Sequence, residues 1–254
     1  DNRRLLDSEL SKLGPWTRGQ KNVIGVFIGA VAFWMLPGVI AVGAEKGTAS
    51  PAFLWLNARV PESIVGLLAA VFLAKEQGAR IVHDPRVVWN TQDIVAAQGG
   101  VAVQSRTGHA FVKQVMRDTG AVYGGEMSAH HYFRDFSYCD SGMIPFLLIS
   151  ELISRQGALA DLVAGRKAAF PSSGEINFRL PNAAASLERV REMFEPLAET
   201  VDETDGLSLS FGDWRMNLRS SNTEPLVRLN IESRGNADLL PQKLALISKV
   251  LQEG

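Results

Sequence analysis

Residues 79–86 read Ala79-Arg80-Ile81-Val82-His83-Asp84-Pro85-Arg86, and they begin an alternation of short β-branched runs and helical patterns. The pattern predicts strands at 79–83, 101–105 and 121–123, and helices at 91–98, 109–118 and 142–155. Strands that alternate with helices through short connections form a parallel sheet covered by helices. The sequence therefore predicts a parallel-sheet α/β/α domain, in which ligands bind beyond the carboxyl ends of the strands.

A second, smaller unit follows from about residue 166. Its pattern predicts short strands and two helices, with strands at 174–180, 207–211, 214–218 and 226–232, and helices at 183–198 and 238–251. This order predicts a small α+β domain. We therefore expect three parts: a front segment over 1–62, the α/β domain over 63–165 and the α+β domain over 166–254.

The loop between two late strands has the composition of a phosphate site. It reads Arg219-Ser220-Ser221-Asn222-Thr223-Glu224-Pro225-Leu226-Val227-Arg228, with two guanidinium groups beside hydroxyl and amide donors. A guanidinium is a planar fork of donors that matches two phosphate oxygens at once. The alternative for this loop alone is a solvated turn between two strands.

A second polar loop follows the predicted strand at 121–123. It reads Gly124-Gly125-Glu126-Met127-Ser128-Ala129-His130-His131. The glycines allow a sharp turn, after which Glu126, Ser128 and His130, spaced by two, can point the same way. A carboxylate beside a hydroxyl suits the vicinal hydroxyls of a sugar. Alone, this cluster also fits an ordinary hydrogen-bonded loop, but the two loops together indicate one ligand with a sugar end and a phosphate end.

These loops resemble the phosphomannomutase branch of the α-D-phosphohexomutase family. The resemblance runs from about Ile64 to the C-terminus. It includes further motifs in the family's order, namely Ala79 to Arg86, Thr107-Gly108-His109, Glu126 to Phe133 and Cys139-Asp140-Ser141-Gly142-Met143-Ile144-Pro145. It implies that the domain over 63–165 binds the sugar and the domain over 166–254 binds the phosphate of a hexose phosphate, either mannose or glucose phosphate.

The resemblance also implies roles for individual residues. The sugar would be bound by Glu126 and Ser128, with His130 beside them, and the phosphate that does not react by Arg219, Ser221, Asn222 and Thr223. Arg228 is a further candidate for the phosphate. Arg86 and His109 are expected to line the same cleft.

The reaction implied by the resemblance interconverts mannose 6-phosphate and mannose 1-phosphate through a phosphoserine, with Mg²⁺ held by an aspartate-rich loop. Neither feature is recognised in this sequence. Ser50 precedes Pro51-Ala52-Phe53 in place of the family's His-Asn-Pro, and Asp202-Glu203-Thr204-Asp205-Gly206 is interpreted as an exposed turn. We therefore expect no catalytic residue, metal ligand or cofactor in this chain, although the full-length family needs Mg²⁺, and we expect the chain to be inactive alone.

Composition limits the partners. The 26 basic and 27 acidic residues create no general field for nucleic acid. The single cysteine, Cys139, has no cysteine partner for a disulfide or a zinc site, which fits a reducing compartment. We expect residues 63–254 to be cytoplasmic and to bind no nucleic acid.

The front segment is of a different kind. The 22 residues from Val23 to Ala44 include no charged residue. As a helix, this run is long enough to span a bilayer. Basic residues before it favour a cytoplasmic N-terminus. The sequence thus predicts an apolar, transmembrane-like helix that anchors the chain to a membrane through 23–44; a buried core helix is the alternative. The stretches Leu13 to Val23 and Phe53 to Ser63 lie on either side of this run. Through them, residues 1–73 resemble a fragment of a sodium/dicarboxylate (divalent anion) symporter, too short to imply transport.

The two resemblances meet in the apolar run 64–73, which suggests a spliced sequence. Three hypotheses follow. The chain is the ligand-binding half of a phosphohexomutase, a membrane-anchored accessory protein that binds sugar phosphates, or a partner of a complementary chain that supplies the missing domains and restores mutase activity. A chimeric or truncated gene product without a native function is a further alternative.

Overall fold

The computed structural model describes residues 63–220 and 226–253, together with the single positions Arg18 and Lys21. The two continuous stretches lie in one compact unit of the chain, residues 61–254.

Two sets of predictions lie outside the described residues. One is the membrane anchor at 23–44, within the front segment 1–62. The other comprises three predicted phosphate ligands, Ser221, Asn222 and Thr223. Both sets stay predictions.

Helices and strands alternate along the first domain. In chain order they are α1 (Ser63–Lys75), β1 (Arg80–His83), α2 (Trp89–Ala97), β2 (Val101–Gln104), α3 (His109–Thr119), β3 (Tyr123–Gly125), β4 (His131–Phe133), β5 (Cys139–Asp140), α4 (Met143–Gln156) and α5 (Leu159–Ala169). Every helix and strand predicted between residues 79 and 155 is observed, and each predicted end lies within two residues of the observed one. The elements β4, β5 and α5 were not predicted.

The sheet of the first domain is mixed, which corrects the prediction of a parallel sheet. Its strand order is β2-β1-β3-β4-β5. The strand β1 pairs in parallel with β2 and β3, whereas β4 runs antiparallel to β3 and β5 runs antiparallel to β4. The parallel part follows from the helical crossovers, as expected.

The antiparallel part comes from a tight turn after β3. The backbone N–H of Glu126 donates to the carbonyl of His130 at 2.9 Å, and that of Ala129 donates to the carbonyl of Glu126 at 3.0 Å. Ala129 has a left-handed φ of 64°. This turn reverses the chain, so β4 returns beside β3 and no crossover helix follows.

The apolar run 64–73 forms most of α1 and packs into the core of the first domain. Leu68, Ala69 and Leu73 are fully or nearly fully buried in one cluster with Ile81 and Tyr123. Burial of a leucine side chain contributes about 1.5–3 kcal/mol. The run is therefore a structural part of the first domain, whatever the origin of the residues before it.

The second domain is built on an antiparallel sheet. Its elements are β6 (Ile176–Phe178), α6 (Ala183–Phe194), β7 (Thr200–Asp202), β8 (Leu207–Ser210), β9 (Trp214–Ser220), β10 (Val227–Ser233) and α7 (Leu239–Gln252). The strand order is β6-β10-β9-β8-β7, and all neighbouring strands are antiparallel. The predicted α+β arrangement is observed, with β7 as an additional strand.

Both helices of the second domain cover its sheet. Val190 of α6 and Ile247 of α7 are buried in one cluster with Met216, Leu218 and Leu229 of the central strands. A period of two along β9 and β10 sends alternate side chains to this face. Side chains on the opposite face are therefore free to form polar contacts. Arg215, Arg219, Arg228 and Glu232 lie on that face.

A buried ion pair connects the two domains. Glu232 of β10 accepts the N–H groups of Val88 and Trp89, at the start of α2, at 2.8 and 3.1 Å. Its other partner is the Arg215 guanidinium at 2.7 Å, which also donates to the carbonyl of Pro85 at 3.0 Å. The loop after β1 is thus attached directly to the second sheet.

Within the described residues, no single helix has the length and apolar composition needed to cross a membrane. The helices α4 and α5 reach that criterion only as a pair, and the chain bends by 96° between them.

Candidate functional site

The loop 126–130, predicted from the sequence to bind the sugar and called the sugar loop, follows two glycines. Close packing requires both of them. A Cβ atom on Gly124 would lie 2.7 Å from the sulfur of Met116, and one on Gly125 would lie 2.5 Å from a methyl group of Val65. Both distances are shorter than van der Waals contact allows. Only glycine lets β3 approach α1 and α3 this closely, and this approach fixes where Glu126 begins the loop.

Glu126 is buried at the base of the loop, with 2% of its surface exposed. Its Oε1 accepts the N–H of Gly108 at 2.5 Å, and its Oε2 accepts the Tyr132 hydroxyl at 3.3 Å. The Ser128 hydroxyl lies 3.5 Å from the same Oε2. Burial, and next the Glu126 charge, raise the pKa of Tyr132 well above its ordinary value, so the phenol stays a donor. Glu126 is therefore held in one orientation toward Ser128.

Arg86 is also buried and reaches the sugar loop. Its Nη2 lies 2.6 Å from Oδ2 of Asp84 and donates to the Ser128 hydroxyl at 3.2 Å. The backbone N–H of Met127 donates to the same Asp84 oxygen at 2.7 Å. Burial alone would raise the pKa of Asp84, but the Arg86 charge and these hydrogen bonds hold it below its ordinary value. The ionised Asp84 thus fixes Arg86 beside Ser128.

The histidines His109 and His130 lie together at the mouth of the loop. Their ring centroids are 4.4 Å apart. The Nδ1 of His130 is 2.7 Å from Oδ2 of Asp140, whose Oδ1 accepts the backbone N–H of His131 at 2.9 Å. Burial would raise the pKa of Asp140, and the hydrogen bonds from His131 and His130 lower it below its ordinary value. A charged acceptor therefore orients the His130 ring.

His131 has a different environment from its neighbour. Its ring is buried, and its Nδ1 lies 2.7 Å from the hydroxyl of Tyr123. Burial lowers the pKa of His131 to about 4, so the ring is neutral at neutral pH. His131 thus belongs to the interior of the first domain, and only His130 of the pair faces the proposed sugar site.

In the second domain, two predicted phosphate ligands face one carboxylate. Arg219 on β9 pairs directly with Arg228 on β10. The guanidinium groups lie 3.1 and 3.2 Å from the two oxygens of Glu175, and Arg219 is also 3.7 Å from Asp205. The Nε of Arg219 is buried and has no hydrogen-bond partner in the described part of the chain. Arg228 is a residue of β10, and its side chain joins this group.

Glu175 also connects the two groups of site residues. Arg86, which contacts Ser128 in the first domain, lies 3.7 Å from the same Glu175 carboxylate that Arg219 and Arg228 contact. Three guanidinium groups therefore converge on one anionic group. A charge-assisted hydrogen bond contributes about 1.5–3 kcal/mol, so this position is suited to an oxyanion.

Three carboxylates in the site were not predicted. Asp84 follows β1 two positions before Arg86, and Asp140 lies in the motif that begins at Cys139, so both had a local signal. Glu175 had none, because its contacts with Arg219 and Arg228 span 44 and 53 positions of the chain. Long-range pairing of this kind leaves no trace in local spacing.

The turn from Asp202 to Gly206 was predicted to be exposed, and this holds for Glu203 and Gly206 only. Asp202, Thr204 and Asp205 are half-buried. Asp202 accepts the N–H of Thr204 at 3.1 Å and the side-chain amide of Gln104, and its pKa lies below its ordinary value because these hydrogen bonds outweigh burial. Asp205 accepts the N–H of Thr107 at 3.2 Å. The turn therefore connects the second domain to the loop before α3.

Among residues 63–220 and 226–253, one group of His, Cys, Asp or Glu side chains is close enough to share a metal ion. It consists of His109, His130 and Asp140, whose ligand atoms all lie within 4.8 Å of one another.

Comparisons with known proteins agree with this architecture. Residues 61–169 match a family model described as phosphoglucomutase/phosphomannomutase, alpha/beta/alpha domain III, and residues 175–245 match the C-terminal domain of the same family. Together the matches cover more than half of the chain. Both lie beyond residue 60, so the symporter resemblance of residues 1–73 gains no support from them.

Curated relatives and a solved structure agree as well. The chain is 60% identical over 189 residues to a phosphomannomutase of Salmonella montevideo, and this match covers 74% of the chain and 41% of the relative. It is 58% identical over 190 residues to a phosphomannomutase of Escherichia coli, with 74% and 42% covered. A phosphoglucomutase/phosphomannomutase family protein from Burkholderia thailandensis is 29% identical, with a TM-score of 0.63 over 76% of this chain and 42% of that one.

The chain thus spans about two fifths of the length of the curated relatives it matches. Two consecutive domains of one family match in order, and their folds agree with the two described sheets. The chain therefore belongs to the phosphoglucomutase/phosphomannomutase family, of which it carries the third and the C-terminal domains.

Proposed function

We propose that this chain is the substrate-holding part of a phosphomannomutase and binds a hexose phosphate between its two loops. The observation that supports this most directly is the convergence of Arg86, Arg219 and Arg228 on the single carboxylate of Glu175. A phosphate group presents the same kind of anionic oxygens with more charge, so it can replace that carboxylate.

Each part of the ligand then has proposed partners. The sugar hydroxyls would face Glu126 and Ser128, with His130 and His109 at the mouth of the loop. The phosphate would face Arg219 and Arg228, including the Nε of Arg219, which has no hydrogen-bond partner among the residues that the structure describes. Ser221, Asn222 and Thr223 are proposed as further phosphate donors from the family resemblance. Arg86, which contacts Ser128, lies between the two ends.

The complete reaction would interconvert mannose 6-phosphate and mannose 1-phosphate, and it needs a phosphoryl donor and Mg²⁺ to neutralise developing charge. Mg²⁺ takes oxygen ligands in octahedral geometry. The one candidate metal group in the described residues, His109 with His130 and Asp140, offers two imidazoles and does not fit that ion. We propose that a complementary chain supplies the donor and the Mg²⁺ ligands, and that the 254-residue chain alone binds hexose phosphates without turnover.

A membrane-anchored, cytoplasmically exposed sugar-phosphate-binding protein is the second candidate. The uncharged run from Val23 to Ala44 favours it. Sedimentation of the expressed chain with membranes, with release by detergent but not by high salt, would support the anchor. Recovery in the supernatant would leave the first proposal alone, with residues 63–254 cytoplasmic.

Calorimetric titration of the full chain with mannose 1-phosphate and with glucose 1-phosphate tests the proposal. We expect a dissociation constant in the millimolar range, which is a binding free energy of about −4 kcal/mol. Binding should be this weak because the two domains contact only part of the ligand's surface. Arg219→Ala should weaken binding by roughly tenfold or more, since a charge-assisted contact is lost.

Arg155→Ala is the matched control for that titration. Arg155 is an exposed arginine that pairs with Glu151 on α4, far along the chain from both loops. It should bind like the parent chain. Absence of binding by the parent, or equal binding by Arg219→Ala, would refute the proposal.

A further inference from the structure

The cluster of His109, His130 and Asp140 has the composition and spacing of a metal site. One ligand atom from each side chain lies within 4.8 Å of the other two. The three residues come from different elements: His109 begins α3, His130 lies in the loop before β4, and Asp140 ends β5. Residues from three elements converge here through the fold and not through local sequence spacing.

Neighbouring contacts hold Asp140 and the backbone that leads to His109. Asp140 is oriented by the backbone N–H of His131, which donates to its Oδ1 at 2.9 Å and leaves Oδ2 directed at His130. His109 follows Gly108, whose N–H is fixed by the buried Glu126 at 2.5 Å. Outer contacts of this kind orient metal ligands and strengthen binding.

The donor set selects the chemistry of the cation. Imidazole nitrogen suits Zn²⁺, Ni²⁺, Co²⁺ and Cu²⁺, whereas Mg²⁺ and Ca²⁺ prefer all-oxygen sites. Two imidazoles with one carboxylate and open positions is a donor set found at catalytic and regulatory metal centres. The distance of 2.7 Å between Nδ1 of His130 and Oδ2 of Asp140 is that of a hydrogen bond. Two ligands at about 2.0–2.2 Å from one tetrahedral ion lie roughly 3.4 Å apart, so metal binding needs these two atoms to separate by under about 1 Å.

We propose that His109, His130 and Asp140 bind one borderline divalent transition-metal ion of the Zn²⁺ class. The ion takes the place of the proton shared by His130 and Asp140, and His109 supplies the third ligand. The remaining coordination positions stay open to water or to an oxygen of a bound ligand. This site is distinct in ligand type from the all-oxygen Mg²⁺ site that the family reaction needs.

Co²⁺ tests the site, because it replaces Zn²⁺ and its visible absorption depends on its ligands. The full chain is titrated with Co²⁺, and Zn²⁺ is then added while the bands are followed. We expect one equivalent of Co²⁺ to give visible bands, and Zn²⁺ to abolish them. The assay contains no sugar phosphate, so its failure is distinguishable from failure of the proposed hexose-phosphate site.

The variants His109→Gln and Asp140→Asn should each weaken metal binding by about 10–100-fold or more. The side chain of His109 is exposed, so its substitution leaves the fold intact even if Asp140→Asn does not. Cys139→Ser is the matched control, because this exposed thiol is adjacent to Asp140 and points to the other side of β5.

Retention of the bands in Cys139→Ser with their loss in His109→Gln supports the site. Three results would overturn the proposal: no Co²⁺ bands in the parent chain, bands that persist in His109→Gln, or bands that disappear in Cys139→Ser. In the first case the three residues form a hydrogen-bonded cluster only.

Discussion

At the scale of single residues, Glu175 is the carboxylate that contacts all three arginines of the proposed phosphate site. Arg86 and Arg219 each have a further carboxylate nearby, Asp84 and Asp205 respectively. Glu175 therefore adds a third negative charge to a group of three arginines, and it leaves the site close to neutral. A phosphate that binds there must compete with this carboxylate.

Substitution Glu175→Gln should therefore tighten binding of mannose 1-phosphate by roughly tenfold, or about 1.4 kcal/mol. The amide keeps the shape of the side chain and removes the competing charge. Titration calorimetry measures the change, with Glu192→Gln, an exposed glutamate of α6, as the control. Unchanged or weaker binding would show that Glu175 organises the arginines and does not compete with the ligand.

Two buried histidines predict how stability depends on pH. Burial lowers the pKa of His131 to about 4, and burial likewise lowers the pKa of His83. The unfolded chain takes up these protons near pH 6.5, before the folded chain does, so the free energy of unfolding falls as the pH drops below about 6.5. For His131 the loss is complete near pH 4 and amounts to about 3 kcal/mol.

Urea unfolding at about pH 7.5 and about pH 5 measures this dependence. The variant His131→Gln keeps a polar partner for Tyr123 and should lose a large part of the difference between the two pH values. His109→Gln, which changes an exposed histidine, is the control. An equal pH dependence in the parent chain and in His131→Gln would contradict the assignment.

At the scale of elements, the sequence pattern predicted most of the helices but missed three short strands. The helix predicted at 109–118 is observed as α3, because its apolar period is strong. The strands β4, β5 and β7 have only two or three residues each, too few to show a period of two. The pairing of β4 depends on the turn at Ala129, whereas β5 and β7 are placed by hydrogen bonds to the neighbouring strands β4 and β8.

The same distinction applies to the candidate site. Arg86, Glu126 and Ser128 lie directly after strands of the first sheet, where ligands are expected, and the structure brings them together. Glu175 and Glu232 act through partners far along the chain. No local signal marks such carboxylates, so sequence reasoning predicted the cationic side of the site and missed its anionic partners.

Two glycines in different elements should respond oppositely to an added methyl group. Gly165 lies inside α5, and a Cβ there meets no atom within 4 Å, so Gly165→Ala should stabilise the protein by up to about 1 kcal/mol. A Cβ on Gly125 would lie 2.5 Å from Val65, so Gly125→Ala should destabilise it by about 1–3 kcal/mol. Chemical denaturation of both variants tests this, and changes of the same sign would contradict it.

At the scale of the whole molecule, the two matched domains are joined by buried polar contacts. The Arg215 guanidinium and the Glu232 carboxylate are 4% and 0% exposed. Each also binds backbone groups of the first domain, between Pro85 and Trp89. These contacts hold the segment that carries Arg86 against the second sheet, so the arrangement of the candidate site depends on them.

The buried pair of Arg215 and Glu232 should matter strongly for stability. Arg215→Met leaves the Glu232 carboxylate buried without its cation and should cost about 3–5 kcal/mol in the free energy of unfolding. Adding Glu232→Gln to that variant should recover part of the loss, because the uncompensated charge is gone. The recovery is only partial, because the N–H groups of Val88 and Trp89 donate to different carboxylate oxygens and the amide keeps one acceptor oxygen. Arg191→Met, which breaks partly exposed ion pairs on α6, is the control and should cost under about 1 kcal/mol. Urea denaturation compares the three variants, and a double variant less stable than Arg215→Met alone would show that the buried charge is not what the arginine compensates.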